Sequence, residues 1–219
     1  MANAPPLQVR VWGEFACFTR PEMKVERVSY PCMTPSAARG VLEAVFWKPE
    51  FTWRVRQIDV LRPIRYFSIV RNEVKSKAAV RSAQSGSVLF ADEDRTQRHT
   101  LALRDVAYVI YADVELRPHA RDEDPAKFRD QFRRRVAKGR CYRQPYLGCR
   151  EFSAFFGEPL GEAPEPITED LGPMLLDIDY APDGSGRGTP VFFEARIADG
   201  RLTVPSREHA VPGGEPGDS

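Results

Sequence analysis

The hydrophobic and polar positions of the first sixty residues have the period of a strand, then of a helix, then of a strand again. Residues 7–18 alternate apolar and polar side chains, which predicts a half-buried strand. Thr34 and Pro35 supply an N-cap and a proline at the first helical position, and apolar residues then recur at helical spacing to about Trp47. Residues 51–61 alternate again. The chain is therefore predicted to open as strand, helix, strand.

The middle of the chain predicts further strands. Residues 64–77 have the pattern of a β-hairpin, and the polar residues 81–98 predict a mobile loop after it. Residues 105–116 carry the strongest strand pattern in the chain, with apolar side chains on both faces. Such a strand is covered on both sides. We therefore predict that it is central in the sheet.

A second helix is predicted by its two ends. Asp124 is a suitable N-cap, Pro125 suits the first helical position, and Gly139 suits the position beyond the last turn. Apolar side chains recur every four residues between these ends. The predicted buried stripe consists of Phe128, Phe132 and Val136.

This order of elements predicts an α+β fold. It suits a ferredoxin-like (RRM-like) N-terminal domain with an inserted β-hairpin, over residues 1–145. The richer content of Gly and Pro that follows predicts a small antiparallel β domain over residues 146–205. Residues 206–219 have no apolar period, which predicts a disordered tail. The strands of the second domain are predicted at residues 174–180, 190–197 and 200–205.

The composition indicates a globular chain with almost no net charge. The 219 residues are 42% hydrophobic and 11% aromatic, enough for one large domain or two small ones. Thirty-two basic and 31 acidic residues nearly cancel, so any sign of a polyanionic partner must be local. There is neither the basic start and apolar core of a signal peptide nor an apolar run of about 18 residues. We expect a cytoplasmic protein with no membrane partner.

The cysteines and histidines do not form a metal-binding pattern. The four cysteines form no C-x-x-C pair, and the three histidines are scattered. We therefore expect free thiols, no metal site and no cofactor. The cysteines are Cys17, Cys32, Cys141 and Cys149.

Positive charge concentrates in the second predicted helix and the loop after it. Residues 127–143 hold eight basic residues and one acidic residue. With the apolar stripe buried, the other helix faces are expected to display these cations, as in a phosphate-binding ridge. A solvated helix face that binds nothing is the alternative. Beside Lys127, the predicted phosphate contacts are Arg129, Arg133, Arg134, Arg135, Lys138 and Arg140.

A second group of cations is predicted on the strand and hairpin that follow the first helix. Two such groups favour a long polyanion, on which exposed aromatic side chains could stack bases. The members of this group are Arg54, Arg56, Arg62, Arg65, Arg71, Lys75 and Lys77, the last three near the predicted hairpin tip.

The sequence contains few groups suited to catalysis. It has no carboxylate-histidine cluster, no phosphate-cradling glycine loop and no nucleophile elbow. Chemistry on RNA would then be metal-free, with the ribose 2′-OH attacking its own phosphate while a cation stabilises the negative charge.

A resemblance to a known family lies in six segments of the chain, residues 11–51, 60–65, 71–74, 127–135, 146–152 and 171–180. These segments closely resemble the CRISPR-associated Cas-five (Cas5) family of type I-C systems, d subtype. The resemblance extends over about residues 7–205. It implies a fold of the repeat-associated mysterious protein (RAMP) group with a β-rich extension, metal-independent cutting beside the hairpin of CRISPR precursor RNA, and a cyclic phosphate product. It also implies retention of the 5′ handle in the Cascade complex.

The same resemblance implies three catalytic positions, of which one keeps its polar group. Family members often carry a tyrosine where this chain has Phe46, and a lysine-histidine pair where it has Lys127 and Phe128. A phenyl ring can neither donate nor accept a proton at its edge, so only Lys127 is a catalytic candidate. Hydroxyls that could substitute belong to Tyr30, Tyr66 and Tyr142.

Three functions remain open from the sequence. The first is a type I-C precursor-RNA endoribonuclease that stays bound to the 5′ handle, contacts the backbone and large subunits of Cascade, and is a monomer when free. The second is a non-catalytic subunit that only holds the handle, since Phe46 and Phe128 replace polar residues. The third is a general nucleic-acid-binding protein or a loose DNA nuclease, which would need only the basic clusters.

Overall fold

The computed structural model describes residues 5–23, 25–75, 90, 92–181, 184, 186, 188–207 and 211–212. These residues form one mostly antiparallel sheet that carries two helices. In chain order the elements are β1 (Leu7–Ala16), β2 (Arg27–Val28), α1 (Pro35–Val45), β3 (Phe51–Val60), β4 (Tyr66–Val74), β5 (Arg95–Leu116), α2 (Pro125–Ala137), β6 (Phe155–Gly157), β7 (Glu169–Tyr180), β8 (Gly188–Ala198), β9 (Arg201–Thr203) and β10 (Val211–Pro212).

The long strand β5 organises the sheet. It spans 22 residues and pairs antiparallel with β1, β3 and β4 and parallel with β2. Its second half is apolar on both faces, and Tyr108 and Ile110 are fully buried. The prediction of a central strand is confirmed. The strand also includes residues 95–98, which were expected in a loop; the remaining part of that predicted loop lies mostly outside the described residues.

The hairpin predicted within residues 64–77 is wrong. Residues 66–74 form the single strand β4, which pairs along its whole length with residues 95–103 of β5. Arg71 and Asn72 therefore lie in the middle of a strand and not at a hairpin tip. The partner strand lies about twenty residues further along the chain, and local periodicity contains no information on such a pairing.

Both helices begin where the sequence predicts. The Thr34 hydroxyl accepts a hydrogen bond from the backbone N–H of Ala37 at 3.2 Å, which caps α1. The Asp124 carboxylate does the same for Ala126 at 2.9 Å and caps α2. The first helix ends at Val45, two residues before the expected end at Trp47, because Phe46 adopts an extended backbone.

The core lies between the helices and one face of the sheet. Val9 and Val11 of β1 face it, as do Leu42 of α1 and Phe132 of α2. The predicted stripe of α2, Phe128, Phe132 and Val136, is buried, as expected. A smaller apolar cluster on the other face of the sheet consists of Leu61, Ala107 and Val109.

The three strands predicted after residue 170 are confirmed as β7, β8 and β9. The short strand β9 pairs with both β8 and β3, so the C-terminal strands extend the same sheet. The division at residue 145 stays a prediction. In the tail that was predicted to be disordered, Val211–Pro212 pairs with β8, whereas residues 208–210 and 213–219 lie outside the described residues.

Two simpler expectations concern the thiols and the helices. All four cysteines are free, as predicted. Neither helix in the described part of the chain is long and apolar enough to cross a bilayer.

Candidate nucleic-acid interface

Phe51 of β3 brings two of the implied catalytic positions together. Its ring centroid lies 5.6 Å from that of Phe46 and 5.1 Å from that of Phe128. Phe46 is only 2% exposed and Phe128 only 4%. The two phenylalanines therefore complete an aromatic core between the end of α1 and the start of α2.

Lys127 extends from this aromatic core into solvent. It lies in the first turn of α2 with half of its side chain exposed, and its ammonium group lies 4.7 Å from the centroid of the Phe128 ring. In the free protein the ammonium forms an ion pair with Glu123. Three positions implied by the resemblance are thus neighbours, and only Lys127 offers a proton or a positive charge.

The three candidate tyrosines occupy different environments. Tyr30 is buried and donates to the carbonyl of Pro173 at 3.3 Å, and burial raises the pKa of its hydroxyl. Partial burial and then the charge of Glu169 raise the pKa of Tyr66. Both shifts oppose loss of the phenolic proton. Tyr142 is 82% exposed, and its backbone N–H donates to the carbonyl of Ala44 at 2.9 Å.

Tyr142 is therefore the candidate hydroxyl that lies beside the end of α1. Ala44 precedes Phe46 by two residues, and the backbone of Arg143 also donates to the Ala44 carbonyl, at 3.1 Å. Trp47 is 49% exposed at the same place, next to the exposed Lys48. Exposed rings beside cations are the combination on which single-stranded bases stack.

The free cations of α2 lie toward its C-terminal end. We call Arg134, Lys138, Arg140 and Arg143 the basic ridge; all are exposed, and none forms an ion pair with a carboxylate in the described part of the chain. Part of this charge interacts favourably with the negative end of the helix dipole. The remainder is available to phosphate, and the backbones of Tyr142 and Arg143 connect the ridge to the end of α1 through the Ala44 carbonyl.

Three predicted cations of α2 have partners within the protein. Arg129 is buried and donates to the backbone carbonyl of Pro5, so the expectation that it projects into solvent is wrong. Its position three residues before Phe132 places it on the inner face of the helix. Arg135 is partly buried, donates to the carbonyl of Val45 at 3.3 Å and lies 5.5 Å from the Phe46 ring centroid. Arg133 pairs with Asp130 at 3.1 Å.

The cations of the second predicted group lie at different places on the sheet. Arg54 pairs with Glu115 at 2.9 Å and Arg56 with Asp113 at 3.5 Å, both across the β3–β5 pairing. Arg71 pairs with Glu151. The residues opposite Arg54 and Arg71 are fifteen positions apart on β5, so these cations do not form one surface. Lys75 is exposed at the end of β4, and Lys77 lies outside the described residues.

No metal-binding cluster of three or more His, Cys, Asp or Glu side chains occurs among the residues that the structure describes. The chemical groups at this interface are therefore one exposed ammonium beside an aromatic core, a ridge of unpaired cations, and two exposed aromatic rings. Such a surface can bind a single strand of RNA and place a positive charge at one phosphate.

Comparison with known families gives one match, over residues 7–205, to the family described as CRISPR-associated protein (Cas_Cas5), of the Cas5d type. Two curated relatives share the name CRISPR pre-crRNA endoribonuclease Cas5d. The relative from Thermus thermophilus is 49% identical over 93% of each chain. The relative from Mannheimia succiniciproducens is 42% identical over 94% of this chain and 96% of its own.

Solved structures share the fold at lower identity. A CRISPR-associated protein superposes with a TM-score of 0.66 at 23% identity, over 92% of both chains. A functionally uncharacterized protein from Streptococcus mutans gives a TM-score of 0.65 at 20% identity, over 92% of both chains. These likenesses support the architecture of the chain.

Proposed function

The chain belongs to the Cas5d family of CRISPR-associated proteins, and from this premise we propose that it is an endoribonuclease that cuts CRISPR precursor RNA at the repeat hairpin. The observation that carries the proposal is the 49% identity, over nearly the whole chain, to a relative named for this activity. The exposed Lys127 in the first turn of α2, the helix whose C-terminal end leads into the basic ridge, supports it.

The proposed reaction is metal-independent transesterification. The ribose 2′-oxygen forms a bond to the adjacent phosphorus and loses its proton to solvent, while the bond from phosphorus to the 5′-oxygen breaks. The products are a cyclic phosphate and a 5′-hydroxyl. Lys127 stabilises the additional charge on the phosphate oxygens and supplies a proton to the leaving 5′-oxygen, and the basic ridge holds the strand in line.

We propose a ferredoxin-like arrangement for residues 1–145. Within these residues the strand order is β3–β5–β1, with α1 after β1 and α2 after β5, and this order supports the assignment. The fourth strand beside β1 is β6, which comes from beyond residue 145. In this proposal β4 and the first part of β5 are an antiparallel pair added to that arrangement, in place of the hairpin predicted within residues 64–77. Residues 146–205 form the β extension, which adds β7, β8 and β9 to the edge at β3.

After cleavage we propose that the protein keeps the 5′ handle as a cytoplasmic subunit of the type I-C Cascade complex, in contact with its backbone and large subunits. A protein that retains its product needs only one turnover, so a slow reaction suffices. The unpaired cations of the basic ridge support retention, because they give affinity without sequence preference.

A non-catalytic handle-binding subunit is the second candidate. The burial of Phe46 and Phe128 favours it, because neither position offers a group that can move a proton. Each general acid or base contributes about 10²- to 10⁴-fold to a rate, so their loss would slow cutting severely.

Cleavage of repeat RNA in EDTA separates the two candidates. We expect the wild-type protein to cut at one position, and Lys127→Ala to cut about 10²- to 10⁴-fold more slowly in single-turnover measurements. Lys127→Arg should keep part of the rate, because it retains the charge. The matched control is Arg196→Ala, which removes an exposed cation from β8 and should cut like the wild type.

The outcome is decisive in either direction. Full-length RNA that persists with saturating wild-type protein would leave only the handle-binding function. A cut that is equally fast in Lys127→Ala would show that Lys127 has no part in the chemistry.

A further inference from the structure

A cavity of about 430 Å³ lies at a bend of β5 on the face of the sheet opposite the helices. At Asp105 the backbone adopts a positive φ of 53°, unusual for a residue other than glycine, and β5 changes partner from β3 to β4 near this residue. The connection between β3 and β4, residues 61–65, passes over the bend. The cavity lies between this connection and β1.

Two arginines of that connection enter the cavity with uncommitted donors. Arg62 is 3.9 Å from its nearest carboxylate, Glu162, and Arg65 is 3.7 Å from Asp105, both beyond hydrogen-bond distance. More than half of each side chain is exposed. Their guanidinium N–H groups have no protein acceptor within the described residues, and a planar fork of such donors suits phosphate.

The arginines of a second cavity, of about 350 Å³, differ because they bind carboxylates of the protein. Arg39 binds Asp177 with two contacts of 2.7 Å, and Arg207 binds the same carboxylate at 3.0 Å. These arginines are committed to holding α1 and the chain after β9 against β7. Of these two cavities, the one at the bend of β5 has guanidinium groups that form no hydrogen bond with a described residue.

The other walls of the cavity at the bend supply different chemistry. Pro63 and Ala107 form an apolar wall together with the edge of the Trp12 ring. The faces of that ring are covered by the Arg10 guanidinium, 4.5 Å from its centroid, and by the stacked ring of Phe155. The carboxylates of Glu14 and Asp105 are exposed acceptors. A ligand that fits carries an anion, a flat ring, and hydroxyl or amino donors, which together describe a nucleotide.

We propose that this cavity binds one nucleotide of the RNA strand that the protein retains. The phosphate lies between Arg62 and Arg65, and the base lies against Pro63 and the edge of the Trp12 ring. The ribose hydroxyl or a base amino group donates to Asp105 or Glu14. The inference rests on the proposed function, since it concerns the retained RNA. It gives the protein a second RNA contact on the face of the sheet away from the basic ridge.

The test measures binding of a synthetic oligouridylate of about ten nucleotides, without cleavage. Arg62→Ala and Arg65→Ala should each weaken binding about tenfold, the effect of losing one charged hydrogen bond. Each should also reduce the slope of log affinity against log salt by about 0.7. The matched control is Arg196→Ala, which removes a similarly exposed arginine 3.4 Å from the carboxylate of Asp170 and should bind like the wild type.

Crosslinking provides a readout that does not depend on variants. The wild-type protein, irradiated with oligouridylate that carries 4-thiouridine, should crosslink through the peptide that contains Trp12. Equal affinities of Arg62→Ala, Arg65→Ala and Arg196→Ala, or no crosslink in that peptide, would overturn the inference. Failure of the wild type to cut repeat RNA would affect only the proposed function, because the oligouridylate assay includes no cleavage.

Discussion

At the scale of single residues, Phe128 stabilises the aromatic core although it is the neighbour of the catalytic candidate Lys127. Its ring packs on Phe51, which in turn contacts Phe46 and lies 5.3 Å from Trp53. The loss of a buried phenylalanine from such a core costs about 3–5 kcal/mol. We expect Phe128→Ala to lower the free energy of unfolding in urea by this amount.

The control for that prediction is a phenylalanine that is exposed. Phe155 is 60% exposed on β6, and Phe155→Ala should change the free energy of unfolding by less than about 1 kcal/mol. A similar small change in Phe128→Ala would mean that its side chain is not part of the core.

Residue types alone indicated the basic segment but not the direction of each side chain. Arg129 and Lys138 count equally in the composition, yet Arg129 is buried beside Phe132 and Lys138 is exposed beyond the last turn. The helical period places Arg129 at the margin of the apolar stripe, where burial depends on what packs there. The contact with Pro5, 124 residues away, decides it, and no local pattern contains that contact.

At the scale of elements, the basic ridge should determine how RNA affinity depends on salt. Three of its members, Lys138, Arg140 and Arg143, follow α2 without a carboxylate partner in the described residues. Each phosphate neutralised on single-stranded RNA contributes about −0.7 to the slope of log affinity against log salt. Replacing all three residues by glutamine should therefore make this slope less negative by about two.

Two control variants test whether the change in slope is specific to the basic ridge. Arg54→Gln/Arg56→Gln removes cations that are already paired with carboxylates, and it should change the slope less than the ridge variant. Arg129→Gln should leave the slope unchanged, because Arg129 is buried. An unchanged slope in the ridge variant would show that the ridge faces something other than phosphate.

The elements that the sequence predicted well have their signals within a few residues. Both ends of α2 are marked by Asp124, Pro125 and Gly139, and each of these residues acts locally on the backbone. The strand β4 was mistaken for a hairpin because its partner, residues 95–103, is separated from it by a long connection. Strand patterns show that a segment is extended, but they do not show its partner.

At the scale of the whole molecule, one sheet joins the two regions that composition separates. The edge of β3 pairs with β9 at residues 57–59, and Leu147 and Ala154 are fully buried in the main core. The backbone N–H of Cys17 also donates to the carbonyl of Leu147 at 3.0 Å. Residues 146–205 can therefore form a recognisable extension and still unfold together with the rest.

We accordingly expect one cooperative unfolding transition for the full chain, and the distribution of tryptophan makes this testable. All three tryptophans, Trp12, Trp47 and Trp53, precede residue 146, but Trp12 stacks on Phe155 of the extension. In a Trp12→Phe variant the remaining fluorescence therefore reports on the first region. Far-UV circular dichroism also reports the strands β7, β8 and β9. The two probes should give the same midpoint in urea, since an unpaired β3 edge and an uncovered core would destabilise the first region. A dichroism change that precedes the fluorescence change would show that the extension unfolds independently.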